Sequence, residues 1–220
     1  WLESKGIPDV LPELKQIETL WEADQYLPAV ERMEQLIQNS SEQLLRIAAP
    51  DILKFLLTLD KENAAHFRRY NSKKLGEWYA HTESWEDKVE HRRTQFARWF
   101  GKLDADQLQR VTDSTALLAN ERGVYRQNNN AWTERMLSAS LARNESILHA
   151  WLADPSIWWI PDYRAQRSAN REQVLLTTQG IIETLSPRQQ RKVSKRLKKW
   201  IRSLESVISP RNPSAAPAVH

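Results

Sequence analysis

No proline occurs between Asp51 and Asp154, although ten are spread over the 220 residues. Proline breaks a helix interior because it lacks an N–H donor and its ring clashes with the preceding turn. A stretch of that length without it can hold several uninterrupted helices. Only five glycines are present to interrupt them. Ala, Leu, Glu, Gln, Lys and Arg dominate the rest, and all favour helix. No segment alternates apolar and polar residues in the manner of a strand. The pattern predicts an all-α fold, a multi-helix bundle or a short array of helical hairpins. Residues 1–208 read as a single helical domain with a possible subdivision near 124–130. The Pro/Ala/Ser-rich stretch 209–220 reads as a disordered tail.

Helix starts are marked by a recurring phrase. Leu59-Asp60-Lys61-Glu62-Asn63 returns as Leu103-Asp104-Ala105-Asp106-Gln107 and as Leu185-Ser186-Pro187-Arg188-Gln189. In each, Asp or Ser can accept from the free N–H groups of a first turn while the preceding Leu packs against it. Pro187 suits the first helical position. The phrases stand roughly one and then two helical hairpins apart. They fit either a degenerate hairpin repeat or the reuse of good caps. Ser84 with Asp87 forms a similar box, and Gly101 is placed to end a helix. The expected helices are Leu27 to Ala49, Pro50 to Leu57, Asp60 to His81, Ser84 to Phe100, Asp104 to Arg122, Asn130 to Leu152, Asp162 to Thr184 and Ser186 to Ile208. An entry segment runs from Pro8 to Trp21, and Asn128-Asn129-Asn130 is expected to be a loop.

Charge is unevenly placed. From Ser186 to Arg211 there are nine Lys/Arg against one acid, Glu205, a net +8; the chain's +4 then leaves −4 for residues 1–185. Val193, Leu197, Trp200, Ile201, Leu204 and Ile208 share one face of the last helix. Arg188, Arg191, Lys192, Lys195, Arg196, Lys198, Lys199 and Arg202 cover the remainder. A basic amphipathic helix suits an anionic membrane surface, an acidic partner or a phosphate backbone. It also suits a core-packed helix with a solvated outer face.

Other constellations are weaker. Glu62/His66, Glu77/His81, Asp87/His91 and Glu145/His149 each place a carboxylate one helical turn before an imidazole. That order supports a helix. It does not match the spacings of zinc or di-iron sites, so no metal or other cofactor is expected. Of ten tryptophans, Trp78, Trp85, Trp99, Trp132, Trp151 and Trp200 fall among apolar helix positions and read as core. Trp158 and Trp159 stand together in a turn bounded by Pro155 and Pro161. They read as a plug over the bundle or as an aromatic contact for a partner. Without cysteine there is no disulfide, iron–sulfur or thiol chemistry. No Gly-rich phosphate loop or nucleophile elbow is present, so neither catalysis nor a small-molecule substrate is expected.

A resemblance adds to these readings. Pro50-Asp51 through Leu59, with Glu62, Asn63, His66, Phe67 and Asn71, resembles a stretch of a family of bacterial, proteobacterial-type helical lipoproteins of unknown function. Trp85-Glu86 through Arg92-Arg93, followed by Phe96, Trp99, Gly101, Leu103 and Gln107, resembles that family's Arg-rich helix ending in Trp-Leu-Gly-x-Leu-x-x-x-Gln. Trp1 with Ile7-Pro8 resembles its opening, although Gly6 replaces a Glu and Val10 a Tyr. Asn63 stands where the family has Gln. The likeness covers about residues 1–125 and leaves out the basic helix. It implies a helical protein of the periplasm, held to a membrane by a lipidated cysteine upstream of Trp1. It carries over no activity and no functional residues. Together, the residues and the resemblance predict a non-enzymatic interaction or scaffolding module at a membrane surface. Its partner would be an envelope protein or the anionic surface itself. Binding of nucleic acid inside the cell is the alternative.

Overall fold

The computed structural model describes residues 7–80, 84–118 and 122–208, without the side chains of 7–9 and 78–80. Trp1, His81 and the expected tail 209–220 lie outside the described residues. Among those described the fold is all-α. The helices are α1 (Ile7–Glu22), α2 (Tyr26–Thr58), α3 (Lys61–Ala80), α4 (Trp85–Phe100), α5 (Ala105–Leu117), α6 (Arg122–Leu141), α7 (Glu145–Ala153), α8 (Pro161–Ile182) and α9 (Pro187–Ile208), with a short 3-10 turn at Pro155–Trp158.

Two compact units share the chain. One holds residues 1–43 and 185–220, the other residues 44–184. The divisions therefore fall inside α2 and just before α9, and residues 124–130 lie within α6.

The expected caps are present. Asp60 Oδ1 accepts from the Asn63 N–H at 2.7 Å. Asp104 and Gln107 cap each other at the start of α5. Ser186 and Gln189 do the same for α9, as Ser84 and Asp87 do for α4. Gly101 ends α4 at φ 91°, a conformation that a side chain would strain.

Three expectations are corrected. Pro50 does not restart a helix; it sits inside the continuous α2. Both Pro50 and Arg46, whose carbonyl loses its i+4 donor, are exposed, so water can take the place of the missing N–H. Asn128-Asn129-Asn130 is helical, in the first half of α6. The buried Asn128 accepts the Ile160 N–H at 2.9 Å, and Asn129 accepts from Asn71 Nδ2 at 2.9 Å. Side-chain partners on other elements offset the low helix propensity of Asn. The expected helix 130–152 is instead broken at Arg143, which adopts φ 54°, and Asn144 caps α7 by accepting the Ile147 N–H.

The larger unit is built around an apolar cluster from α2, α3, α6, α7 and the 3-10 turn, with Leu137 and Leu148 fully buried. Helix α3 packs on α6, and α6 on α7 and α8; α5 lies between α4 and α8. The α5–α8 contact is polar as well as apolar. Buried Gln107 donates to the Thr184 carbonyl at 3.1 Å, and Thr177 donates to Ser114. In the smaller unit α1 and α9 pack on each other.

Candidate functional site

Among the described helices, α9 is the most strongly two-faced. Its apolar residues recur at the helical period because Val193, Leu197 and Ile201 are spaced by four. All three are buried, as are Leu14, Ile17 and Trp21 on α1, and the two helices pack on each other, which places the seam of the pair on these faces. The Trp21 indole Nε1 donates to the Gln190 carbonyl at 3.2 Å. At the flanks, Lys198 Nζ stands 2.7 Å from Glu22, and Lys15 Nζ stands 2.6 Å from Glu205. As the partner's number rises on one helix it falls on the other, so the helices run antiparallel. The Glu22 hydrogen bond and charge hold the Lys198 ammonium above its ordinary pKa; Glu18 adds to the effect and Arg202 opposes it.

The structure brings all eight basic residues singled out by sequence onto this one helix. Seven are exposed: Arg188, Arg191, Lys192, Lys195, Lys198, Lys199 and Arg202. Arg196 is half-buried, with its guanidinium 5.8 Å from the centre of the Trp200 ring. Lys198 turns toward a carboxylate of α1 in a close pair. The single acid of α9, Glu205, is engaged by Lys15. The outer arc from Arg188 to Arg202 thus presents a cationic ridge about 21 Å long at the helical rise. No Asp or Glu occurs between Arg188 and Arg202 in the sequence. Like charges at i, i+4, such as Arg191/Lys195 and Lys195/Lys199, repel one another, so this arrangement is not one that helix stability selects.

Sequence reasoning missed the acidic complement. Glu18 and Glu22 fall one turn apart on α1, and the excess of acids outside the last helix was the available signal.

The two turn tryptophans belong to the other unit and are placed differently from each other. Trp158 is buried, its ring stacked on Trp151 at 5.1 Å and 10°, and its carbonyl accepts from Arg135 at 3.1 Å. Trp159 is half-buried, edge-on to Tyr163 at 5.4 Å, with the Arg167 guanidinium 5.3 Å from its ring centre. The turn is thus anchored by one ring while the other lies nearer the surface. Trp132 meets Trp151 edge-on at 5.3 Å, extending the aromatic stack. Trp85, expected in the core, is 44% exposed, because it opens α4 at the first position after its cap. Trp78 lies outside the described side chains.

Among the described residues no three His, Asp or Glu side chains gather as a metal site would need. His91 Nε2 lies 2.7 Å from Gln95 on its own helix. None of the described helices is long and apolar enough to cross a membrane.

No curated protein and no solved structure matches the chain. One family model does, over residues 11–164, from early α1 into the first turn of α8 and short of α9. The match covers more than two thirds of the 220 residues, and the chain belongs to this family of unknown function, DUF6279.

Proposed function

We propose that the protein is a non-enzymatic interaction module that docks on an anionic surface through the outer arc of α9. One observation carries the reading. The arc is densely basic, and the acids of its neighbour α1 engage its edge, leaving Arg188, Arg191, Lys195 and Lys199 facing solvent. Such an array raises the local concentration of anionic partners and holds them by summed Coulomb attraction. The surface favoured is an anionic membrane, with the protein in the bacterial envelope and tethered by lipid. That setting is supported by the lipoprotein resemblance of residues 1–125.

Co-sedimentation with vesicles tests the reading. The full chain should pellet with phosphatidylglycerol-containing vesicles and not with phosphatidylcholine alone. Absence of binding to both would overturn it. Retention on DNA or RNA without vesicle binding would replace it with the nucleic-acid alternative. The envelope setting is tested by fatty-acid labelling of the full-length gene product. A labelled, detergent-extracted membrane form is expected, and an unlabelled cytosolic form would remove that setting.

A further inference from the structure

Basic amphipathic helices meet membranes in two ways. Some bury an apolar face among the acyl chains, and others remain at the headgroups by charge alone. The apolar face of α9 is already engaged. Val193 is 5%, Leu197 2% and Ile201 6% exposed, and α9 packs on α1, where Leu14, Ile17 and Trp21 are buried too. Polar contacts at its flanks fix the register: Trp21 to the Gln190 carbonyl, Glu22 to Lys198, and Lys15 to Glu205. Opening the pair would expose Val193, Leu197 and Ile201 to water before any reached the bilayer.

We infer that α1 and α9 dock as a closed pair on phosphate-bearing lipid headgroups, with the arc Arg188–Arg202 in the headgroup plane and the apolar seam kept out of the acyl region. This rests on the reading of the arc as an anion-binding face. It adds the ligand, the phosphates of a lipid surface, and the mode, electrostatic contact without insertion.

The flank of α9 favours a lipid surface over nucleic acid. A helix seated in a nucleic-acid groove has phosphates on both sides. Here one side is α1, which brings Glu22 to 2.7 Å from Lys198 and Glu18 near enough to act on the same ammonium. A broad surface meets only the outer arc, where guanidinium and ammonium groups face outward and the carboxylates of α1 stand aside. Arginines at 188, 191 and 202 can each grip a phosphate through two donors.

The test uses the full chain on phosphatidylglycerol-containing vesicles. The chain has no cysteine, so Ser206→Cys gives one labelling site. Ser206 is exposed and one turn beyond Arg202. A spin label there should read headgroup depth. Amide exchange over Leu14–Trp21 should be unchanged by binding, and rising salt should release the protein. K195E/K199E/R202E should weaken binding by roughly a hundredfold or more, with α1 exchange still protected, whereas K195R/K199R should bind like the parent. Binding accompanied by a label at acyl depth and faster exchange in α1 would overturn the closed-pair mode while leaving surface docking standing. Failure of the full chain to bind would overturn both, as would salt-sensitive capture by duplex DNA in place of vesicles.

Discussion

The Glu22 carboxylate lies 2.7 Å from the Lys198 ammonium, so the last residue of α1 meets the middle of α9 across nearly the whole length of the sequence. Both side chains are about half exposed. An exposed pair of this kind sets register more than it adds stability. The apolar seam beside it does the larger share, which leads to a contrast between neighbouring positions. Leu197→Ala, at a residue 2% exposed, should destabilise the α1–α9 pair by about 2–5 kcal/mol. Lys198→Ala should leave it nearly unchanged. Native-state hydrogen exchange of α1 amides reads both; equal effects would show that the ion pair, not the seam, holds the helices.

Asn128 offers a second test. It is buried within α6, and its Oδ1 accepts the N–H of Ile160, the residue that leads into α8. Asn128→Ala leaves that N–H without its acceptor and should cost about 1–3 kcal/mol. Thermal unfolding of the variant is the measurement. An unchanged midpoint would mean that the contact contributes nothing.

Two glycines should respond with opposite signs. Gly101 stands at φ 91°, where a Cβ is strained, so Gly101→Ala should destabilise by about 1 kcal/mol or more. Gly180 lies inside α8, and a Cβ there would sit 3.0 Å from Arg110 Nη1, the far end of a flexible side chain. Once that guanidinium shifts, the helical preference of Ala over Gly prevails. Gly180→Ala should then stabilise by about 0.5 kcal/mol. Denaturant midpoints of the two variants decide the signs.

Acid should weaken the larger unit. The two-pronged hydrogen bond from Arg68 holds the Glu134 carboxyl below its ordinary value. Hydrogen bonds from Ser156 hold Asp154 down, and that from Lys74 holds Glu77 down. In each case the unfolded chain takes up the proton at higher pH than the folded one. The stabilisation is therefore complete above the ordinary carboxylate range and is lost as pH falls through the folded values. Unfolding midpoints should decline below about pH 4.5, the ordinary glutamate value. Glu134→Gln should make that decline shallower. An identical pH profile in the variant would count against the Arg68–Glu134 contribution.

What could be read in the sequence was what local chemistry decides. Asp60, Ser84, Asp104 and Ser186 act as caps within one turn of themselves, and Gly101 ends its helix by its own conformational freedom. The all-helical fold and the basic arc followed from periodicity and composition. Long-range contacts were hidden. Asn128 looked like a loop residue because its partner, Ile160, lies in another element. Pro50 looked like a boundary because its exposure was not evident. The seam between α1 and α9 joins the two ends of the chain, and periodicity within either helix names no partner. Only the opposite signs of charge in the last helix and the remainder pointed toward it.

A vesicle titration decides whether the protein docks through the outer arc of α9. Full-length protein and the K195E/K199E/R202E variant are titrated with phosphatidylglycerol-containing vesicles at low and at raised salt. The parent should bind at low salt and release as salt rises, and the variant should fail to bind while keeping the parent's helical content. Equal binding by parent and variant, or binding that salt leaves untouched, would contradict the claim.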